Sequence, residues 1–342
     1  MKKVKPKVYV YGAGFIGVVI ALLLYYFFFT AFSKKTETEY VYIDKDDTID
    51  SVLVKIGRVG HSHSVAAFST LARHWGYADD KIRTGRYEIA PDVSAITLFR
   101  HFRNGMQSPV TLTVPESKTT SRLAGFLSRK LMLDSTEVAR SFADSAFCAS
   151  YGYDTATLAA LFVPDTYEVY WNISLDNLMK KMAKANKTFW NIERTNKAEA
   201  MGMTPVEVAT MASIIDEETA NNGEKPMIAG MYYNRLKKGM PLQADPTVKF
   251  AHKNFALRRI YKKLLDIDSP YNTYRREGLP PGPIKVASVA GIDAVLNHVH
   301  HDYLYMCAKE DFSGTHNFAV TYPEHLQNAA RYSKALNERG IK

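Results

Sequence analysis

The sequence predicts an α+β protein: an N-terminal transmembrane helix, a small α/β unit behind it, and a larger mixed α/β domain. Three observations predict this class. An uncharged apolar run lies near the N-terminus, strand and helix patterns alternate after it to about Val114, and helical periodicity with polar loop motifs fills the rest. The chain has 342 residues, 46% hydrophobic and 23% charged, which suits folded domains rather than extended disorder.

The apolar run extends from Val8 to Phe32 without a charge. About 20 apolar residues cross a bilayer, so it is long enough to span. Tyr9, Tyr11, Tyr25 and Tyr26 lie near its ends, where aromatic belts sit. Ser33-Lys34-Lys35 offers no small-x-small cleavage site, which predicts an uncleaved anchor. Lys2, Lys3, Lys5 and Lys7 precede the span and Lys34 and Lys35 follow it. The excess of lysine predicts residues 1–7 as a cytoplasmic tail, 8–32 as a single-pass membrane helix, and all that follows as extracytoplasmic.

The formal net charge is +9. A basic balance suits nucleic acid, a membrane surface or an anionic polymer. Several lysines flank the span, so nucleic acid is not the expected partner. Nucleotide chemistry is not expected outside the cytoplasm, and Gly12, Gly14 and Gly17 lie inside the span with no strand before them. Cys148 and Cys307 allow one bridge and no four-cysteine zinc site. Two free buried thiols are expected, with a bridge left open.

Behind the anchor, Tyr40-Val41-Tyr42-Ile43 reads as a strand and Thr48 as the cap of a helix carrying Ile49, Val52, Leu53 and Ile56. A second helix is expected from Val65 to Trp75, then a strand over Gly85–Ile89. Ser94 caps a third helix with Ile96, Leu98, Phe99 and Phe102, which Gly105 ends. Val110–Val114 reads as a strand. Helical stretches are expected over roughly 120–160 and 175–200, the second a lysine-rich solvated face.

The most informative segment runs from Thr204 to Thr219. Thr204 is an N-cap, Pro205 takes the first helical position, and Glu207 completes a capping box. Val208, Met211, Ala212 and Ile215 recur at helical spacing. Asp216, Glu217 and Glu218 close the helix. At roughly 100° per residue Glu218 continues the apolar face, while Asp216 and Glu217 are expected to turn toward water. Desolvation raises the pKa of a carboxyl group, and the negative end of a helix raises it further. A carboxyl that keeps its proton near neutral pH can serve as a general acid. The structural alternative is a terminal charge cluster in which one acid faces inward onto an arginine.

Downstream lie Tyr233-Asn234-Arg235-Leu236, Leu242–Val248 with Gln243, Asp245 and Thr247, Tyr271-Asn272-Thr273-Tyr274, Gly278–Ile284 with Pro280 and Pro281, and His316-Asn317-Phe318. These mix amide, hydroxyl and aromatic groups, which suits a sugar's polar substituents and its C–H faces. Each also reads as turn chemistry.

Together these motifs resemble the endolytic murein transglycosylases, the YceG-like family. The residues that carry the resemblance are MASIIDEETA (211–220), YNRL (233–236), LQADPTV (242–248), YNTY (271–274), GLPPGPI (278–284) and HNF (316–318), with FVPDTY (162–167) and GRYEI (85–89) as looser matches. The resemblance implies a LysM-like subdomain over 36–112 and a catalytic domain over 113–342. It also implies cleavage within nascent peptidoglycan strands at the inner membrane, ending their elongation, with peptidoglycan synthases or divisome proteins as candidate partners. It identifies Glu218, the acid before Thr-Ala, as the catalytic residue. By motif it carries Asn234, Gln243, Asp245, Asn272 and Tyr274 as site residues; Thr247, Tyr271, Pro281 and His316 complete the expected substrate contacts. At Asp216 the family often carries Glu; an outward-facing position predicts no cost.

In a lytic transglycosylase one carboxyl group serves both steps, so no cofactor or metal is expected. Hydrolysis, with Asp245 as a second carboxylate, is one alternative; a non-catalytic wall-binding scaffold is another. A metal site at His298, His300, His301 and Asp302 would need the preceding helix to continue so that His298 and His301 share a face.

Overall fold

The structure, a computed structural model, describes residues 6–257 and 260–340. Lys2, Lys3 and Lys5 of the expected tail lie outside the described residues, as does the side chain of Lys7. The chain is mixed α/β and divides into two units.

The first unit comprises Met1–Leu112 with Lys130–Met132 and Glu168–Ile173. It opens with α1 (Pro6–Phe29). From Val10 to Phe29 this helix is long and apolar enough to cross a membrane, and large apolar side chains such as Phe15 and Leu22 are exposed along it. Then come β1 (Glu39–Ile43), α2 (Ile49–Gly57), α3 (Ser62–His74), β2 (Gly85–Ile89), α4 (Ala95–Asn104) and β3 (Val110–Thr113). β1 and β2 pair antiparallel with Val41 opposite Tyr87. Their alternation puts Val41, Ile43, Tyr87 and Ile89 on one face, against Ile56, Phe68, Leu98 and Phe102. Thr48 caps α2 in a capping box with Ser51. Ser94 caps α4, and Gly105 ends that helix at φ 66°, a left-handed conformation glycine adopts without strain.

The second unit holds most of α5 (Thr120–Lys130), then α6 (Ser135–Phe142) and α7 (Ser145–Ala149). After β4 (Thr166–Val169), shared between the units, come α8 (Leu175–Phe189), α9 (Ile192–Ala200), α10 (Pro205–Glu218), α11 (Lys225–Lys237), α12 (Asp245–Ala251) and α13 (Val289–Leu296). β5 (Tyr305–Ala308), β6 (His316–Ala319) and α14 (Tyr322–Glu338) close it. The broad helical stretches are thus broken: Asp134, Asp144 and Asn191 each cap a new short helix with their side chains.

α10 is the centre of this unit. Thr204 and Glu207 form its capping box, and Pro205 sits in the first turn. Every residue from Val208 to Ile215 is buried, against Ile228 and Met231 of α11 and Ile292 and Val295 of α13. The expected stripe is therefore a helix enclosed on all sides. A glycine permits the closeness of α13: a Cβ at Gly291 would lie 2.6 Å from Asp216 Oδ1.

Candidate active site

Because α10 is enclosed from Val208 to Ile215, the three acids that follow emerge among packed elements and each meets different partners. Asp216 is buried, contrary to the expectation that it turns to solvent. Its carboxylate pairs with Lys225 Nζ at 2.7 Å and accepts from the Ser288 backbone N–H and hydroxyl, both at 2.7 Å. Glu217 is also drawn inward, 2.7 Å from Lys118 and 3.5 Å from Lys285. Asp216 and Glu217 do not face water because packing surrounds α10 from Val208 onward rather than along one stripe.

Glu218 differs from both neighbours. Among the described residues it makes no ion pair, and its one hydrogen-bond partner is the Tyr232 hydroxyl, which donates to Oε1 at 2.8 Å. Burial pushes its pKa up to about 7; the Tyr232 bond pulls the other way, and the Asp245 charge adds to the rise. The surrounding cleft, of about 480 Å³, is lined by Glu218, Tyr232, Arg235, Gln243, Asp245, Tyr274, His316 and His325, among others.

The segments that supply these groups are held by backbone bonds. Gln243 stands at φ 53°, a strained conformation for a side-chain-bearing residue. Its N–H donates to the Thr273 carbonyl at 3.0 Å and its Oε1 accepts from Arg235 at 3.2 Å. Arg235 also donates to the carbonyls of Leu242, Pro241 and Leu304, so one buried guanidinium latches two chain segments to α11. Tyr274 donates to Asp245 Oδ1 at 2.6 Å. His316 opens β6, opposite Ala308 of β5.

The expected site residues thus fall into groups. Glu218, Gln243, Asp245, Tyr274 and His316 share the cleft. Asn272 and Thr247 are fully buried beneath it. Asn272 Nδ2 donates to the Leu265 and Ile267 carbonyls, and its Oδ1 accepts from the Tyr274 N–H. Thr247 donates to the Ala244 carbonyl and shares a hydrogen bond with Thr273. Tyr271 packs on Phe250. Pro281 is exposed in a loop whose Ile284 N–H donates to Ser213 of α10; neither it nor Tyr271 lines the cleft. Asn234 points elsewhere, donating to the His301 and Tyr303 carbonyls on a separate cavity of about 710 Å³. That cavity is the larger, but Glu218 is not in it.

Motif reading passed over Tyr232, Glu224 and His325. Tyr232 precedes the YNRL motif by one residue, and Glu224 lies in no motif. The turn of the chain after Thr219 brings Tyr232 back to the cleft and sets buried Glu224 against His316, and no spacing rule shows that. The histidine cluster does not form on a common helix face, since α13 stops at Leu296. His301 spends both ring nitrogens on backbone: its Nδ1 accepts from Tyr303 N–H, so its Nε2–H donates to the Met227 carbonyl. Both cysteines are free; Cys148 is buried as expected, whereas Cys307 is only half-buried and lines the cleft.

A mixed α/β fold that places in a polar cleft an acid with a raised pKa, and with no ion-pair partner among the described residues, has a group suited to proton transfer. The chain belongs to the YceG-like family, which it matches over residues 41–331. It is 41% identical over 169 residues to an endolytic murein transglycosylase of Bacillus subtilis, covering 48% of this chain and 45% of that protein. It is 28% identical over 315 residues to one of Streptococcus pneumoniae, covering 83% of this chain and 56% of that protein. The chain therefore spans about half the length of the curated relatives it matches. A crystal structure of a YceG-like protein from Listeria monocytogenes superposes with a TM-score of 0.56 at 26% identity, covering 86% of this chain and 99% of that one.

Proposed function

We propose that this protein is a membrane-anchored endolytic lytic transglycosylase that cuts nascent peptidoglycan strands and so ends their elongation. The observation that carries the reading is the contrast within one helix end: Asp216 and Glu217 are paired with lysines, and Glu218 is left in the cleft with a tyrosine hydroxyl and a pKa of about 7. Such an acid holds a proton at neutral pH and releases it to a basic atom. Glu218 protonates the oxygen between N-acetylmuramic acid and N-acetylglucosamine as that bond breaks. The resulting carboxylate then takes the proton of the muramyl C6 hydroxyl, which closes on C1 to leave a 1,6-anhydro end. The nucleophile belongs to the substrate, so attack gains from effective concentration and needs no second carboxylate.

In this reading α1 is a single-pass anchor in the inner membrane, with the N-terminus cytoplasmic and the units behind it extracytoplasmic. Residues 36–112 serve as a LysM-like wall-binding subdomain and residues 113–342 as the catalytic domain. Gln243, Asp245, Tyr274 and His316 contact the glycan, and Asn272 and Thr247 support the loops that present them. Synthases of the same polymer, or divisome proteins, are the partners this placement suits.

Mass spectrometry of products from uncrosslinked glycan, with wild type and Glu218→Gln side by side, tests the proposal. Anhydro-ended fragments from wild type and none from the variant are expected. Reducing muramyl ends would instead assign hydrolysis, with Asp245 as the second carboxylate. Equal release by both proteins would remove Glu218 from the chemistry.

A further inference from the structure

Glu224 immediately precedes α11 and is buried. Both its carboxylate oxygens are committed to one residue. Oε1 accepts from the His316 backbone N–H at 2.6 Å, and Oε2 lies 3.0 Å from the His316 ring Nδ1. A carboxylate has no proton to give, so the ring nitrogen facing it must carry one. The two bonds together fix both the position of the ring and its tautomer. The opposite ring nitrogen, Nε2, has no partner among the described residues, and His316 lines the cleft with Glu218. A neutral imidazole protonated at Nδ1 presents Nε2 as an acceptor.

A second acceptor faces the same cleft. Asp245 offers carboxylate oxygens, and the Tyr274 hydroxyl is already donated to one of them. The Arg235 guanidinium is turned to backbone carbonyls and Gln243. Asp245 and His316 Nε2 are thus acceptors beside Glu218, so a ligand that fits them brings O–H or N–H groups to that side, while the Gln243 amide NH2 remains as a donor.

We propose that Glu224 is a positioning residue that locks His316 in the Nδ1–H tautomer, so that Nε2 accepts a hydroxyl or acetamido N–H of an N-acetylated sugar bound beside Glu218. The inference rests on the glycan reading of this cleft for its ligand, and on geometry alone for the tautomer. Glu224→Gln separates a positioning role from a merely structural one. A carboxamide has one oxygen and one NH2 group, so keeping the bond to the backbone N–H turns the NH2 toward Nδ1. That ring nitrogen must then accept, and the proton moves to Nε2.

The test is NMR of the imidazole nitrogens in the full chain in detergent micelles, at alkaline pH where an ordinary imidazole is neutral, with His316→Gln to assign the signal. The expected wild-type result is a protonated Nδ1 and a bare Nε2, reversed in Glu224→Gln. The Nε2 signal should move when uncrosslinked glycan is added to Glu218→Gln protein. Turnover by Glu224→Gln should fall about tenfold, the effect of facing a substrate donor with another donor. A protonated Nε2 in wild type, an unchanged tautomer in Glu224→Gln, or an Nε2 signal indifferent to glycan overturns the proposal. Should Glu224→Gln not fold, the wild-type and Glu218→Gln spectra decide it alone. If wild type releases no glycan, the proposed activity fails, while the tautomer and binding spectra still support or overturn the role of Glu224.

Discussion

Replacing Glu218 by glutamine should stabilise the protein, and by an amount that depends on pH. In the unfolded chain the carboxyl titrates at its ordinary value of 4.5; in the fold it titrates at about 7. Between these values the native state binds a proton that the unfolded state has lost, so stability falls as pH rises through this window. One pKa unit corresponds to about 1.4 kcal/mol, so the full window amounts to roughly 3 kcal/mol. Solvent at the cleft mouth screens the charge and reduces this to about 2 kcal/mol. Glutamine keeps the shape and still accepts from Tyr232, but it never acquires the charge. The Glu218→Gln protein should therefore match wild type near pH 4. It should exceed wild type by about 2 kcal/mol near pH 8.5. Denaturant-dependent hydrogen exchange of the α10 amides measures this in the unit that carries the residue. An equal difference at both pH values would show that Glu218 is not held uncharged by its surroundings, and the proton-donor argument would fail with it.

Three further outcomes follow from the same geometry. Tyr232→Phe removes the bond that favours charged Glu218, so the pH at which kcat/KM declines on the alkaline side should rise by about one unit. Asp245→Asn removes a charge that raises the Glu218 pKa, so the same limb should move to lower pH, as a pH–rate profile would record. Asp216→Ala leaves Lys225 charged and buried without its carboxylate; a loss of about 3–5 kcal/mol in denaturant unfolding is expected, and a loss below about 1 kcal/mol would show the pair to be solvent-relaxed.

Much of the local structure was legible because it depends on neighbours in sequence. The caps at Thr48, Ser94 and Thr204 each satisfy backbone N–H groups a few residues on, and β1 and β2 follow from β-branched and aromatic alternation. The long helical stretches were legible only coarsely, since each internal aspartate or asparagine cap can either stay exposed or start a new helix.

Local sequence alone sets α1, the position of the buried helix α10, and Glu218 as the acid to examine, since an apolar period and an abrupt acidic end are local facts. Tertiary structure decided what each acid does. Lys225 from the start of the next helix, and Ser288, Lys118 and Lys285 from distant segments, hold Asp216 and Glu217, and none of them pairs with Glu218. It also separated Gln243, Asp245, Tyr274 and His316, which meet in the cleft, from Asn272, Thr247 and Asn234, whose amides and hydroxyl are consumed by backbone groups. The physical reason is that the charge state and availability of a polar side chain depend on desolvation and on its three-dimensional partners. A motif records the residue but not what the fold places against it.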